Sequence, residues 1–266
     1  MEKIKLKILD TAGHTLLTAP AGEQVSLVYC NTYAPGDRVA LEIDTPGQFC
    51  VVQFEDTMAP VLIYVEKREI NFHIPLGEAA AAYSPKSFQG ACHCIRARLA
   101  ESWELTQRRN LALNPYDESG DTGFFPHVTA TAETPGAAFA VRNVIDGIFE
   151  NTAHGFYPYQ SWGTARDPKA QLTLHFGRPV RIDELRLTLR CDFPHDNYWN
   201  GATVTFSDGS SVRLALTDSP LPQRFPISSR EIEWLTLGEL TQAEGISPFP
   251  ALTQLEAWGT DIPREA

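Results

Sequence analysis

The feature that most constrains this chain is a side-chain period of two that recurs in short runs along its length. Ile4, Leu6 and Ile8 alternate with Lys3, Lys5 and Lys7; Val39, Leu41 and Ile43 alternate with Ala40, Glu42 and Asp44; Ile70, Phe72 and Ile74 enclose Asn71 and His73. The pattern resumes after residue 170 with Leu172, Leu174 and Phe176, then Leu185, Leu187 and Leu189, then Val204 and Phe206, and then Val212, Leu214 and Leu216. Successive side chains of a strand point to opposite faces, so each run reads as a half-buried strand. Turn chemistry separates the runs: PGD at 35–37, TPG at 45–47, FGRP at 176–179 and SDGS at 207–210, the last a hairpin signal. Many short strands with frequent turns predict an all-β chain of antiparallel sandwiches or barrels. Helical propensity is confined to GEAAAAY at 77–83, which Pro75 and Pro85 limit to two turns.

A chain of 266 residues suits two domains of about 100 to 150 residues, each able to bury a core without staples. Strand-like patterning gives way near residue 107 to RRNLALNPYDESGDTGFFPH, which is polar and irregular. The expectation is therefore a first β-sandwich over 1–107 and a second over 108–266. Five cysteines at irregular spacing (Cys30, Cys50, Cys92, Cys94, Cys191) read as buried free thiols rather than a disulfide framework. CHC at 92–94 would place two thiols on the core face of a strand and His93 on the other; it lacks the second ligand pair of a zinc site.

The formal net charge of −11 argues against nucleic acid or an anionic membrane as the main partner, and no basic stripe overrides it. No stretch approaches the ~20 apolar residues of a membrane helix. The N-terminal MEKIKLKILD has no signal-peptide core, so the sequence as it stands is expected in the cytoplasm; an extracellular location would require a trimmed leader.

The second half carries, in order, RNLAL (109–113), TATAE (129–133), NVIDG (143–147), SWG (161–163), QLTLHFGRPVRIDELRL (171–187), FSDGS (206–210) and QLEAWG (254–259). In this set it resembles the discoidin-like domains, galactose-binding-like jelly rolls also found at the C-termini of coagulation factors V and VIII and in bacterial carbohydrate-binding modules. The resemblance covers about 150 residues of the second half and leaves the first half without a family. It implies a carbohydrate ligand and a structural calcium ion held by Asp146 of IDG and Glu256 of LEAWG, with no organic cofactor. Oxygen ligands of this kind suit calcium, although Asp146 could equally cap a turn.

Two loops carry the chemistry. RCDFPHDNYW at 190–199 offers Arg190, Asp192, His195, Asp196 and Asn197 for hydrogen bonds to hydroxyls, and Tyr198 and Trp199 as faces for a sugar ring. AHGFYPYQSW at 153–162 offers His154, Tyr157, Tyr159, Gln160 and Trp162. The bland alternative is a local Arg190–Asp192 salt bridge, with Trp162 and Trp199 packed in the core. Asp183 and Asp208 read as turn formers. The leading expectation is a carbohydrate-binding protein without chemistry of its own. The alternatives are a hydrolase or lyase using His195 with Asp192 and Asp196, against which stands the lack of a nucleophile, P-loop or dinucleotide motif in the sequence, and a protein interaction module.

Overall fold

The computed structural model describes residues 3–193, 195–245 and 247–262. The strands of the first part are β1 (Ile4–Leu9), β2 (Thr15–Thr18), β3 (Gln24–Tyr29), β4 (Arg38–Ile43), β5 (Gln48–Gln53), β6 (Val61–Val65), β7 (Glu69–His73) and β8 (His93–Leu99), followed by the short helix α1 (Ser102–Thr106). The second part holds β9 (Arg109–Asn110), β10 (Phe124–Phe125), β11 (His127–Ala130), β12 (Trp162–Gly163), β13 (Leu172–Leu189), β14 (Trp199–Phe206), β15 (Ser211–Ala215), β16 (Gln223–Gln242) and β17 (Ala251–Asp261).

Period-two patterning becomes two antiparallel sheets in the first sandwich, ordered β2-β1-β4-β7 and β10-β6-β5-β8-β3. Their inner faces share one core, to which Leu6, Leu41 and Phe72 come from the first sheet and Val52, Ile63 and Ile95 from the second. Removing such side chains from water is the main stabilising term. The second sandwich is one continuous hydrogen-bonded network ordered β12-β17-β13-β16-β14-β15, with β11 on β13 and β9 on β17. Its core contains Leu174, Phe176, Leu185, Leu187, Val204, Phe206, Leu235 and Leu255.

FGRP is not a turn. Residues 172–189 form a single strand whose register with β16 shifts between His175 and Val180. Before the shift β13 pairs with β11, and after it with β17, so one strand serves two layers through a bulge. Gly177 sits at the bulge with φ 68°, and a Cβ there would lie 2.3 Å from the Phe125 ring. Position 177 therefore needs both the left-handed backbone and the missing side chain.

The thiol expectation is also corrected. Cys50 is buried, whereas Cys30 and Cys92 are exposed and Cys94 and Cys191 are half-buried. In CHC it is His93 that faces inward, its ring 4.2 Å from that of Tyr33. GEAAAAY forms a 3₁₀ helix over Gly77–Ala82. Helix α1 was not foreseen, although ESWE contains a capping box in which the Glu101 N–H donates to Glu104 Oε2 at 2.8 Å. Among the described residues no helix is long and apolar enough to cross a membrane.

The segment after α1 serves both sandwiches. Arg109–Asn110 pairs with β17, while Tyr116 and Phe124 are buried in the core of the first sandwich and Phe124–Phe125 extends its sheet beside β6. Two buried arginines reinforce the junction. Arg178 donates to Asp261 at 2.7 Å and stacks 4.9 Å from the Phe49 ring; Arg142 donates to the Asp117 and Pro115 carbonyls and stacks 4.8 Å from Tyr83. A desolvated guanidinium gains from ring faces as well as from its ion pair.

At the centre of the second sandwich, Gly259 of β17 lies so close to β13 that an added Cβ would meet the Arg181 carbonyl oxygen at 1.9 Å. Backbone on a paired strand cannot step aside as a side chain can. Gly259→Ala is expected to destabilise the protein by about 3 kcal/mol, as overpacked interiors do, read as a lower denaturation midpoint. An unchanged midpoint would show that β13 and β17 are not paired in this register.

Candidate functional site

Strand β13 ends at Leu189 and β14 begins at Trp199, so the charged stretch between them is a connection at one end of the second sandwich. Arg190 organises it. Its side chain is wholly withdrawn from solvent; Nε donates to Asp192 Oδ1 at 2.7 Å, and Nη1 donates to the Tyr159 carbonyl at 2.5 Å. The same guanidinium thus closes its own loop and fastens the neighbouring 153–162 loop to it. The His154 and His195 rings then stand with centroids 5.5 Å apart.

Beside these rings lies an open pocket of about 230 Å³. Phe139, Pro248 and Phe249 supply its apolar wall, and His154, Arg166 and His195 supply its ionisable groups. His195 is 7% exposed. A carbonyl only accepts, so its contact of 2.8 Å with the Phe249 oxygen places a proton on Nδ1. Burial lowers the imidazole below the ordinary histidine range, so the ring is neutral near pH 7 and Nε2 carries a lone pair. That nitrogen is buried and has no hydrogen-bond partner among the described residues.

The opposite rim is set by strained backbone. Ala165 and Arg166 both have left-handed φ, at 51° and 62°, a combination that costs on the order of 1–3 kcal/mol per non-glycine residue and persists only when surroundings enforce it. The enforcement is visible: Thr134 Oγ1 accepts from the Ala165 N–H at 3.1 Å, and the Thr134 N–H donates to the Gly163 carbonyl at 2.6 Å. Arg166 emerges from this turn with its guanidinium 4.8 Å from the Phe249 ring centroid.

Of the side chains expected to meet a sugar, only His154 and His195 line this pocket. Trp162 and Trp199 belong to the hydrophobic core, their rings 6.1 Å apart, and the Trp162 indole donates to the Ala132 carbonyl. Arg190 and Asp192 hold each other, and Asn197 binds the Ser247 carbonyl. Tyr198 packs half-buried against the core, and Tyr157 lines the cleft between the sandwiches beside Tyr83. Asp196 is exposed. The ring content of the two loops therefore serves packing more than display. The catalytic arrangement is not assembled either, because His195 is oriented by a backbone carbonyl rather than by Asp192 or Asp196.

Phe139, Arg166 and Phe249 were missed. Phe139 and Phe249 lie outside any alternating run, and Arg166 sits in TARDPK, which reads only as a polar turn. The available signal for 249 was PFP, a stiff connection that shows an aromatic outward.

Asp146 and Glu256 do not fit a shared calcium site. Asp146 Oδ1 accepts from the Ile148 N–H and from Gln254 Nε2 at 2.6 Å, and Oδ2 faces Gln160 Nε2, so its oxygens meet donors. Burial raises this carboxyl to about 6. Glu256 Oε2 accepts the Trp258 indole N–H at 2.7 Å. Among the described residues no group of three or more His, Cys, Asp or Glu side chains is placed to hold a metal.

No family model and no curated protein matches the chain. It is similar to the solved structure of chitosan-binding module 1 from a chitosanase/glucanase of Paenibacillus sp. IK-5, at 15% identity over 57% of this chain and 99% of that one, with a TM-score of 0.41. It is likewise similar to a family 32 carbohydrate-binding module from C. perfringens NanJ in complex with galactose (14% identity, 49% and 91% of the two chains, TM-score 0.38). A third similar structure is the lectin domain of lectinolysin complexed with Lewis B antigen (11% identity, 57% and 97%, TM-score 0.43). The three are, in turn, a chitosan-binding module, a carbohydrate-binding module and a lectin domain.

Two measurements check this geometry. Asp192→Ala strands a buried guanidinium and is expected to cost about 3–5 kcal/mol, more than Arg190→Met, which leaves a partly exposed carboxylate; equal costs in chemical denaturation would mean that Arg190 is not buried as described. Chelation with EDTA is expected to leave the melting temperature unchanged, whereas a fall of several degrees would reinstate a stabilising calcium ion.

Proposed function

We propose that the second sandwich binds a carbohydrate in the pocket between His154, Arg166, His195 and Phe249, without transforming it. The observation that carries this reading is a pocket in which the His154, His195 and Arg166 side chains stand against an apolar, aromatic wall of Phe139, Pro248 and Phe249. A pyranose presents hydroxyl donors along its rim and C–H groups on its faces. It needs a few fixed polar groups and an apolar surface to lie against, which is the composition of this pocket. A volume of about 230 Å³ suits one or two sugar units with the remainder of a glycan outside.

The first sandwich acts in this reading as a support, because Tyr116, Phe124, Arg142 and Arg178 weld it to the second. Orientation of His195 by the Phe249 carbonyl, with no carboxylate on the ring among the described residues, favours gripping over hydrolysis. A glycan-array screen followed by calorimetric titration tests the reading. Phe249→Ala changes a 39% exposed ring and keeps the backbone carbonyl that orients His195, so the melting temperature should hold while affinity falls about tenfold or more. Failure of every glycan to bind, or wild-type affinity in Phe249→Ala, would overturn the assignment.

A further inference from the structure

The ionisable groups lining the pocket are a guanidinium and two imidazoles, with no aspartate or glutamate among the described residues. This is unexpected in a chain that carries eleven more acids than lysines and arginines. Three of the neighbouring acids are committed elsewhere, and Asp196 is exposed beside His195 in sequence without lining the pocket. Glu133 accepts from the Val141 N–H, Asp167 from the Lys169 N–H, and Asp192 is neutralised by Arg190. Arg166 itself enters no ion pair or hydrogen bond among the described residues; its contact is the face of Phe249. It is held at the rim by two left-handed residues and the Thr134 anchor rather than hanging free from a relaxed loop.

We propose that this pocket selects a sugar bearing an anionic substituent, a carboxylate or a sulfate, which Arg166 receives at the rim while the sugar ring lies against Phe249 and Phe139. The inference rests on the carbohydrate-binding reading and sharpens it to a substrate class. A guanidinium presents parallel N–H donors in a fork that matches both anions, and stacking on Phe249 orients the fork and strips part of its water. An uncharged sugar would leave that fork unused. A cationic amino sugar would face Arg166 without a carboxylate to receive it.

The test uses the full chain and a matched panel: oligogalacturonides, glucuronate-containing oligosaccharides and sulfated galacto-oligosaccharides, each beside its uncharged counterpart. The expected result is that acidic members bind about tenfold or more tightly than their partners, with affinity falling as salt rises. Arg166→Gln, at an exposed position, should abolish that preference with no change in melting temperature. Binding of carboxylated members alone identifies uronates, and of sulfated members alone sulfated sugars; either supports the proposal. Equal or tighter binding of uncharged sugars, or acidic binding unaltered in Arg166→Gln, would overturn it while leaving carbohydrate binding intact. No binding to any member, together with a silent glycan array, would remove the reading beneath it as well.

Discussion

The Arg190 guanidinium is shielded from water just past the end of β13, and three of its hydrogen bonds decide where two loops go. An isolated charge in such a place would be intolerable, so Asp192 must fold back to meet it and the Tyr159 carbonyl must close over it. Those constraints bring His195, three residues beyond Asp192, against His154, five residues before Tyr159. The pocket is thus a by-product of satisfying one buried cation. Residues that look most chemically capable in the sequence are spent on building the site, and the groups left to face a ligand are fewer and plainer.

A second consequence follows from continuity. β13 runs through both layers of its sandwich, and its bulge at residues 176–179 carries Gly177 and Arg178 to the first sandwich, where they meet Phe125, Phe49 and Tyr64. The strand that ends at Arg190 is therefore also the one fastened to the neighbouring sandwich. Motion between the two sandwiches would have to slide Arg178 off the Phe49 and Tyr64 rings and withdraw Tyr116 and Phe124 from an apolar core. The site is mounted on a doubly braced element, which suits recognition by a preformed surface.

The sandwich architecture was legible because period two is a property of backbone geometry: Leu172, Leu174, Leu185 and Leu187 can all face inward only on strands. The FGRP misreading shows the limit. Glycine followed by arginine and proline marks a break in regular pairing, but turn and bulge use the same residues, and only tertiary partners such as Phe125 and Phe49 distinguish them. The same holds for the site. Sequence located the two loops but could not say which way a tryptophan between strand and loop would turn, and burial of about 200 Å² of ring outweighs display when a core lies beneath. His195 was legible as chemistry; Phe249 became visible only when the connection before β17 folded across it.

The molecule's overall charge and the character of the pocket point in opposite directions, and distance decides between them. At physiological salt, exposed charges more than about 8 Å apart are largely screened, so the net charge of −11 acts weakly on a ligand already at the rim. What such a ligand meets is the local set: Arg166 above Phe249, neutral His195 behind, and acids turned to backbone donors or to Arg190. The mean field would instead slow the approach of a long anionic polymer and disfavour nonspecific adhesion to it. On the proposed reading, a weakly repellent surface around a pocket that carries one guanidinium favours entry of a single acidic substituent over a polymer laid along the protein.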